Sequence, residues 1–295
     1  MRKLKVISIL IFAVSLAVFG VYKIHSRVTA DEAGPEITMD AESITVSAEA
    51  SEEELLQGVK ATDKSDGDVS DTLLVETESN FIEKGRRNIT IAAFDSDNHI
   101  TKASREVIYN DYHAPQFSLS EPLKFPTGVQ NILSSMSVED MLDGSLTENI
   151  KISGEYTLDA DIPGEYPMMF TVSNSAGDVS ELMATVEIYD PAEEGRKPQI
   201  SLSEYIVYTS AGKKIDPWAY VTSVTIGGHT YEKEDDGILR DQSPSQGQER
   251  TEISPEDINI VQDIDYDTPG TYEIIYQISG SDGNTGEVRL VTVVR

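Results

Sequence analysis

The residues best equipped for chemistry in this chain are carboxylates. Asp63, Asp66, Asp68 and Asp71 fall close together, and hard oxygen donors at that density are the raw material of a calcium site. Their order is not that of a helix-loop-helix calcium loop, and Asp with Gly in such a stretch also serves turn geometry alone. Asp263, Asp265 and Asp267 alternate, which on an extended strand turns all three to one face. Asp159 and Asp161 hold the matching places earlier in the chain. A face of this kind either gathers a cation or keeps an exposed edge strand from pairing with another. His25, His99, His113 and His229 stand at no metal-ligand spacing from one another, so solvated surface roles are expected of them. The chain has no Cys and no Gly-x-Ser-x-Gly elbow, so no nucleophile constellation is legible. The paired acids of a glycosidase cannot be picked out against so acidic a background. No enzymatic activity and no catalytic residue is expected.

These side chains must be positioned by a segment that occurs three times. Each copy opens on proline and an apolar alternation: Pro35-Glu-Ile-Thr-Met, Pro115-Gln-Phe-Ser-Leu, Pro198-Gln-Ile-Ser-Leu. A valine that starts a strand follows 24, 23 and 23 residues on, at Val59, Val138 and Val221. A glycine comes later (Gly85, Gly164, Gly270), and 13 residues after it a turn residue (Asn98, Gly177, Gly283). In the second copy, short apolar runs are parted by Asp143-Gly144, Pro163-Gly164 and Asn174 to Asp178, which predicts a β-sandwich closed by a hairpin. Asn is the residue other than Gly that best tolerates a left-handed backbone, so Asn98 can fill the first copy's turn. Ser51-Glu-Glu-Glu54 ahead of Gly58 predicts one capped helical turn. The expected organisation is 1–27 signal anchor or signal peptide, 28–34 linker, repeat 1 over 35–111, repeat 2 over 112–191, 192–197 linker, and repeat 3 over 198–295. Each repeat is expected to stand on its own core.

Composition places the repeats outside the cell. Val6 to Tyr22 is uncharged and mostly apolar behind Arg2, Lys3 and Lys5, the pattern of a secretory signal or a membrane anchor with its basic end inside. Cleavage after Ala30 would release the repeats; an uncleaved helix would hold them to the membrane. The absence of Cys leaves no disulfide and no lipidated thiol. Residues 1–30 hold five basic residues and no acid, so the remainder carries 18 − 52 = −34 charges. That excludes nucleic acid and anionic lipid as partners of the outer part.

The order of these motifs resembles a known family. A strand leads to Asp66-Gly67-Asp68, then comes Asp-x-x-x-x-Gly-x-Tyr at Asp159 to Tyr166 and at Asp265 to Tyr272, then a hairpin with a Gly-Asp or Gly-Asn turn. This is similar to the bacterial immunoglobulin-like domains first named from a pesticidal crystal protein, and to the HYR-type modules of cell-surface proteins. The resemblance covers 35–295. It implies an all-β chain of three tandem immunoglobulin-like sandwiches after an N-terminal transmembrane helix, used as spacer, adhesive unit or enzyme appendage, with no catalytic residues. Repeat 1 lacks the motif's tyrosine, and repeat 3 lacks the Asp-Gly-Asp stretch.

The copies differ most in length. Opening proline and corner glycine are 50, 49 and 72 residues apart, so repeat 3 carries about 22 extra residues, placed within 227–252. The insertion contains Tyr231, and the only tryptophan, Trp218, lies just upstream of it. Both are candidate contacts for a protein or glycan of the envelope, although a tryptophan also belongs in a core. Repeats 1 and 2 then act as spacers and repeat 3 meets the partner. A carbohydrate-binding or wall-processing accessory protein and a structural subunit of an envelope complex are the rival readings.

Overall fold

The computed structural model describes residues 2–28, 33–153, 158–244 and 250–295. The candidate cleavage point at Ala30 and residues 245–249 of the insertion lie outside them. The helix Arg2–Val28 opens the chain. Its stretch Ile7–Ile24 is long and apolar enough to cross a membrane, and none of it is buried against the protein. Beyond it the fold is all-β, with two sheets in each repeat. Two compact units result, Met1–Tyr112 and His113–Arg295.

In the first unit, Glu36–Met39, Val59–Asp63 and Gly67–Asp68 form one sheet. Ser43–Val46, Ile100–Tyr109, Arg86–Phe94 and Leu74–Glu78 form the other. Val59-Lys-Ala-Thr-Asp63 alternates buried and exposed, as side chains on successive faces must. Ile89, Ile91 and Ala93 fill the same interior from the facing sheet. The capping box forms as its sequence signals: Ser51 N donates to Glu54 Oε2 at 2.8 Å and Glu54 N to Ser51 Oγ at 3.4 Å.

Repeats 2 and 3 of the second unit follow the same plan. Gln116–Leu119, Met136–Asp140 and Gly144–Ser145 face Lys151–Ser153, Gly164–Ser173, Val179–Tyr189 and Lys124–Pro126. In repeat 3, the sheet of Ile206–Thr209, Thr285–Val294, Gly270–Ser279 and Asn259–Gln262 faces a wider one that begins with Gln199–Leu202 and Val221–Ile226. In all three repeats an early strand runs parallel to the last one: Ser43–Val46 beside 106–109, Lys124–Pro126 beside 187–189, Ile206–Thr209 beside 291–294.

The shared landmarks have plain structural reasons. Asn98, Gly177 and Gly283 sit at φ 66°, 80° and 84°, the left-handed position of the closing hairpin. The tyrosine two residues after the corner glycine reaches back four residues: Tyr166 Oη donates to Ile162 O at 2.9 Å, and Tyr272 Oη to Thr268 O at 3.0 Å. This is the tyrosine corner of immunoglobulin-like sandwiches. In repeat 1 the place belongs to Arg87, a buried side chain whose Nη2 donates to Tyr109 Oη at 2.6 Å and pairs with Glu78.

One sequence expectation is corrected. Asp263, Asp265 and Asp267 do not share a strand face, because the strand ends at Gln262 and the chain turns before Gly270. Asp265 folds that turn, accepting from Asp267 N at 3.0 Å and from Thr268 Oγ1 at 2.7 Å. Asp159 accepts from Asp161 N at 3.0 Å in the same way. Pro269 and Pro163 follow, and a proline there has no N–H to donate to a ladder.

Candidate interaction surface

The four clustered acids of repeat 1 have separate structural tasks. Asp63 is buried, and its Oδ1 accepts from Ser65 N at 2.7 Å and Asp66 N at 3.0 Å. Asp66 reaches across to the closing hairpin and accepts from Ser96 N at 2.8 Å and Ser96 Oγ at 2.9 Å. Asp68 accepts from Ser70 N at 3.0 Å, and Asp71 lies exposed in the 3-10 turn Ser70–Thr72. Repeat 2 copies the first two tasks: Asp140 accepts from Leu142 N and Asp143 N, while Asp143 holds Ser175 N and Oγ. Three of the four carboxylates, Asp63, Asp66 and Asp68, thus each accept from backbone donors. Among the described residues, no group of three or more His, Cys, Asp or Glu is arranged to hold a metal. These residues do not fit a calcium site.

Two histidines lie against buried acids, a pairing that the spacing of His alone did not signal. His99 Nδ1 is 2.7 Å from Asp95 Oδ2, and His229 Nδ1 is 2.9 Å from Asp241 Oδ2. Burial pushes the Asp95 carboxyl up, but the hydrogen bonds from His99 outweigh it and hold the group below the usual carboxylate value. Asn174 is the counterpart of Asp95 in repeat 2, where its amide donates to Asp140 Oδ2 at 3.2 Å.

The insertion widens a sheet. From Asp63 to Ser70 and from Asp140 to Thr147 the chain advances 7 residues between strand end and 3-10 turn; from Ile226 to Pro255 it advances 29, and 29 − 7 = 22. His229–Lys233, Leu239–Asp241 and Glu252–Ile253 add to Val221–Ile226 in antiparallel order. Gly227 and Gly228, at φ 60° and 83°, make the tight turn that starts the addition. Leu239 is fully buried, so the insertion contributes to the core. Arg240 binds the outer rim together, with Glu234 at 2.9 Å, Asp236 at 2.7 Å and Glu252 at 2.8 Å.

Trp218 and Tyr231 both pack partly buried against the repeat 3 core. Trp218 Nε1 donates to Gly237 O at 3.0 Å, and Lys233 lies 4.9 Å from the ring centroid while donating to Trp218 O. The tryptophan therefore fastens the added strands to the body of the repeat. Tyr231 Oη and Thr251 Oγ1 are 2.9 Å apart. Glu232, on the strand His229–Lys233, and Asp235, in the turn that follows it, are exposed and have no partner among the described residues.

Repeats 2 and 3 are fused. The buried cluster of repeat 2, which includes Phe117, Val138, Phe170 and Leu182, also takes in Ile206 and Val291 of repeat 3, so repeat 2 does not stand on its own core. Side chains of repeat 3 satisfy backbone groups at the edge of repeat 2. Tyr208 Oη accepts from Phe117 N at 2.8 Å and donates to Phe117 O at 2.9 Å. Glu273 accepts from Thr185 N at 2.6 Å and Thr185 Oγ1 at 2.9 Å, and Arg289 pairs with Glu165 at 2.7 Å. The connection is also tied down: Asp190 caps the helical turn Pro191–Glu194, and Glu194 pairs with Lys124 at 2.6 Å and Lys197 at 3.1 Å. Phe117 and Tyr208, Thr185 and Glu273, and Glu165 and Arg289 are 91, 88 and 124 positions apart, so no local pattern announced these ties.

The fold and its landmarks define an all-β, immunoglobulin-like sandwich protein. No family model and no curated relative matches the sequence. Among solved structures, a lipoprotein from Bacteroides thetaiotaomicron is 16% identical with a TM-score of 0.22, over 60% of this chain and 98% of its own. The extracellular domain of protocadherin gamma B4 is 14% identical with a TM-score of 0.19, over 90% of this chain and 50% of its own. A Clostridium perfringens M60 catalytic domain with two CBM51 domains is 13% identical with a TM-score of 0.21, over 88% of this chain and 30% of its own. Likenesses this loose carry nothing about function.

Proposed function

We propose that this protein is a non-enzymatic interaction module of a bacterial envelope, built from crystal-protein-type immunoglobulin-like repeats and held to the membrane by its N-terminal helix. The observation that carries the reading is the fusion of repeats 2 and 3. Side-chain hydrogen bonds, an ion pair and a shared core turn two sandwiches into one stiff body, which presents the widened sheet of repeat 3 at a fixed orientation. A scaffold that holds one surface rigidly lowers the ordering cost of binding. Trp218 and Tyr231 serve that surface by fastening its added strands, and contact falls to the exposed acids beside them.

The test is retention of envelope components by the full chain, compared with the double variant Glu232→Lys, Asp235→Lys. Deleting 227–252 would be uninformative, because it removes the buried Leu239. A component that the native chain retains and the variant loses is the expected result. Equal retention by both would remove the widened sheet from the function, and no retained component at all would leave a spacer without a partner.

A further inference from the structure

The widened sheet is not the only surface with a shape of its own. Repeat 1 carries an open groove of about 800 Å³ between the capped helical turn and the start of the strand Leu74–Glu78. Val59 forms its floor and Leu56, Leu73 and Leu74 its walls, while Glu52, Glu53 and Glu54 stand along one rim. No basic residue is among those that line it. We propose that this groove docks a peptide segment in which Lys or Arg alternates with apolar residues.

The chemistry of the lining selects that occupant. Leu73 is half-buried and Leu74 is 36% exposed, so leucine surface faces solvent where an apolar side chain could cover it. The rim is uniformly negative, which attracts a cationic segment and repels an acidic one. Two of the three rim glutamates are already immobilised, Glu52 by Val75 N at 2.6 Å and Glu54 by Ser51 N at 2.8 Å. Their position is therefore set before a ligand arrives, and Glu53 is left exposed with no partner among the described residues.

The bond from Val75 N also decides the mode of docking. It occupies the backbone donor at the start of the edge strand, so an incoming segment engages side chains in the groove rather than adding a strand at that point. Repeat 2 lacks the feature. In repeat 2 the residues after the corresponding 3-10 turn are Ile150, which is buried, and Lys151, and no helical turn precedes the strand Met136–Asp140. The groove is independent of the surface on repeat 3 and would stand if that surface bound nothing.

Fluorescence anisotropy of a labelled Lys-Leu-Lys-Leu-Lys peptide tests the proposal, with the full chain in nonionic detergent and a detergent blank. A labelled Glu-Leu-Glu-Leu-Glu peptide is the comparator. Saturable binding of the lysine peptide alone is expected. Glu53→Lys should weaken it about fivefold and Leu74→Gln about threefold, while Glu181→Lys on repeat 2, the same charge change elsewhere, should weaken it less than about twofold. Absence of saturable binding overturns the proposal. So does equal weakening by Glu181→Lys, which would mean that net charge alone attracts the peptide, and so does indifference to Leu74→Gln.

Discussion

Replacing Tyr208 with Phe removes one oxygen from the contact between repeats 2 and 3. That oxygen holds both backbone groups of Phe117, a residue 2% exposed. Without it a donor and an acceptor are left buried and unpaired. Each such group costs about 1–3 kcal/mol, and about 2–4 kcal/mol is expected for the two together once water reaches part of the gap. With a urea slope of about 2 kcal/mol/M, the unfolding midpoint should fall by about 1–2 M. Trp218 is the only tryptophan and lies in repeat 3, so its fluorescence reports that side of the contact. Hydrogen exchange of the Phe117 amide reports the other. Alkaline pH gives a second readout. Burial pushes the Tyr208 phenol above its usual value, against a smaller opposing effect of Arg295. The folded protein then keeps this proton longer than the unfolded chain. Its contribution is whole below about pH 10 and is lost as pH rises through the raised folded value. Tyr208→Phe should remove that alkaline loss. An unchanged midpoint together with unchanged protection of the Phe117 amide would refute the argument.

Asp95→Asn gives repeat 1 the amide that repeat 2 has at Asn174. The Asp95 contribution is present above the usual carboxylate value and lost as pH falls through its lower folded value, so acid melting of repeat 1 should become less steep in the variant. Gly286→Ala would place a Cβ on the Pro198 carbonyl oxygen; a loss of about 1–3 kcal/mol is expected in denaturant melts of repeat 3. Millimolar calcium and its chelation should both leave the melting temperature of the full chain unchanged to within about 1 °C, since Asp63, Asp66 and Asp68 are engaged with backbone donors.

Much of the fold was legible because turns have strict local requirements. A left-handed backbone admits Gly or Asn, and the hairpins at Asn98, Gly177 and Gly283 could be placed on that basis. The capped turn at Ser51 and the site of the insertion followed from equally local signals. Alternation misled at Asp263 to Asp267, because period 2 is shared by a strand and by an Asx turn ahead of a proline corner. The strands within the insertion were hidden as well. The Ser, Gln and Gly content around Ser243 reads as a loose loop and drew attention from Leu239, whose burial seats the strand Leu239–Asp241 in the core. The tie between repeats 2 and 3 had no sequence signature. Tyr208 and Phe117 are 91 positions apart and Glu273 and Thr185 are 88 apart, and a tyrosine or glutamate on an outer strand face looks like any other until the neighbouring edge is seen.

The parallel pairing of an early strand with the last one has a mechanical consequence. In each repeat the second strand lies beside the strand by which the chain leaves, over 4, 3 and 4 residue pairs in turn. When the two ends of such a repeat are pulled apart, the parallel strands slide along each other and their hydrogen bonds bear the load together. A peeling geometry would break the same bonds one after another. Repeat 2 has the shortest of these clasps, and it is also the one braced from the side by Glu273 and Arg289.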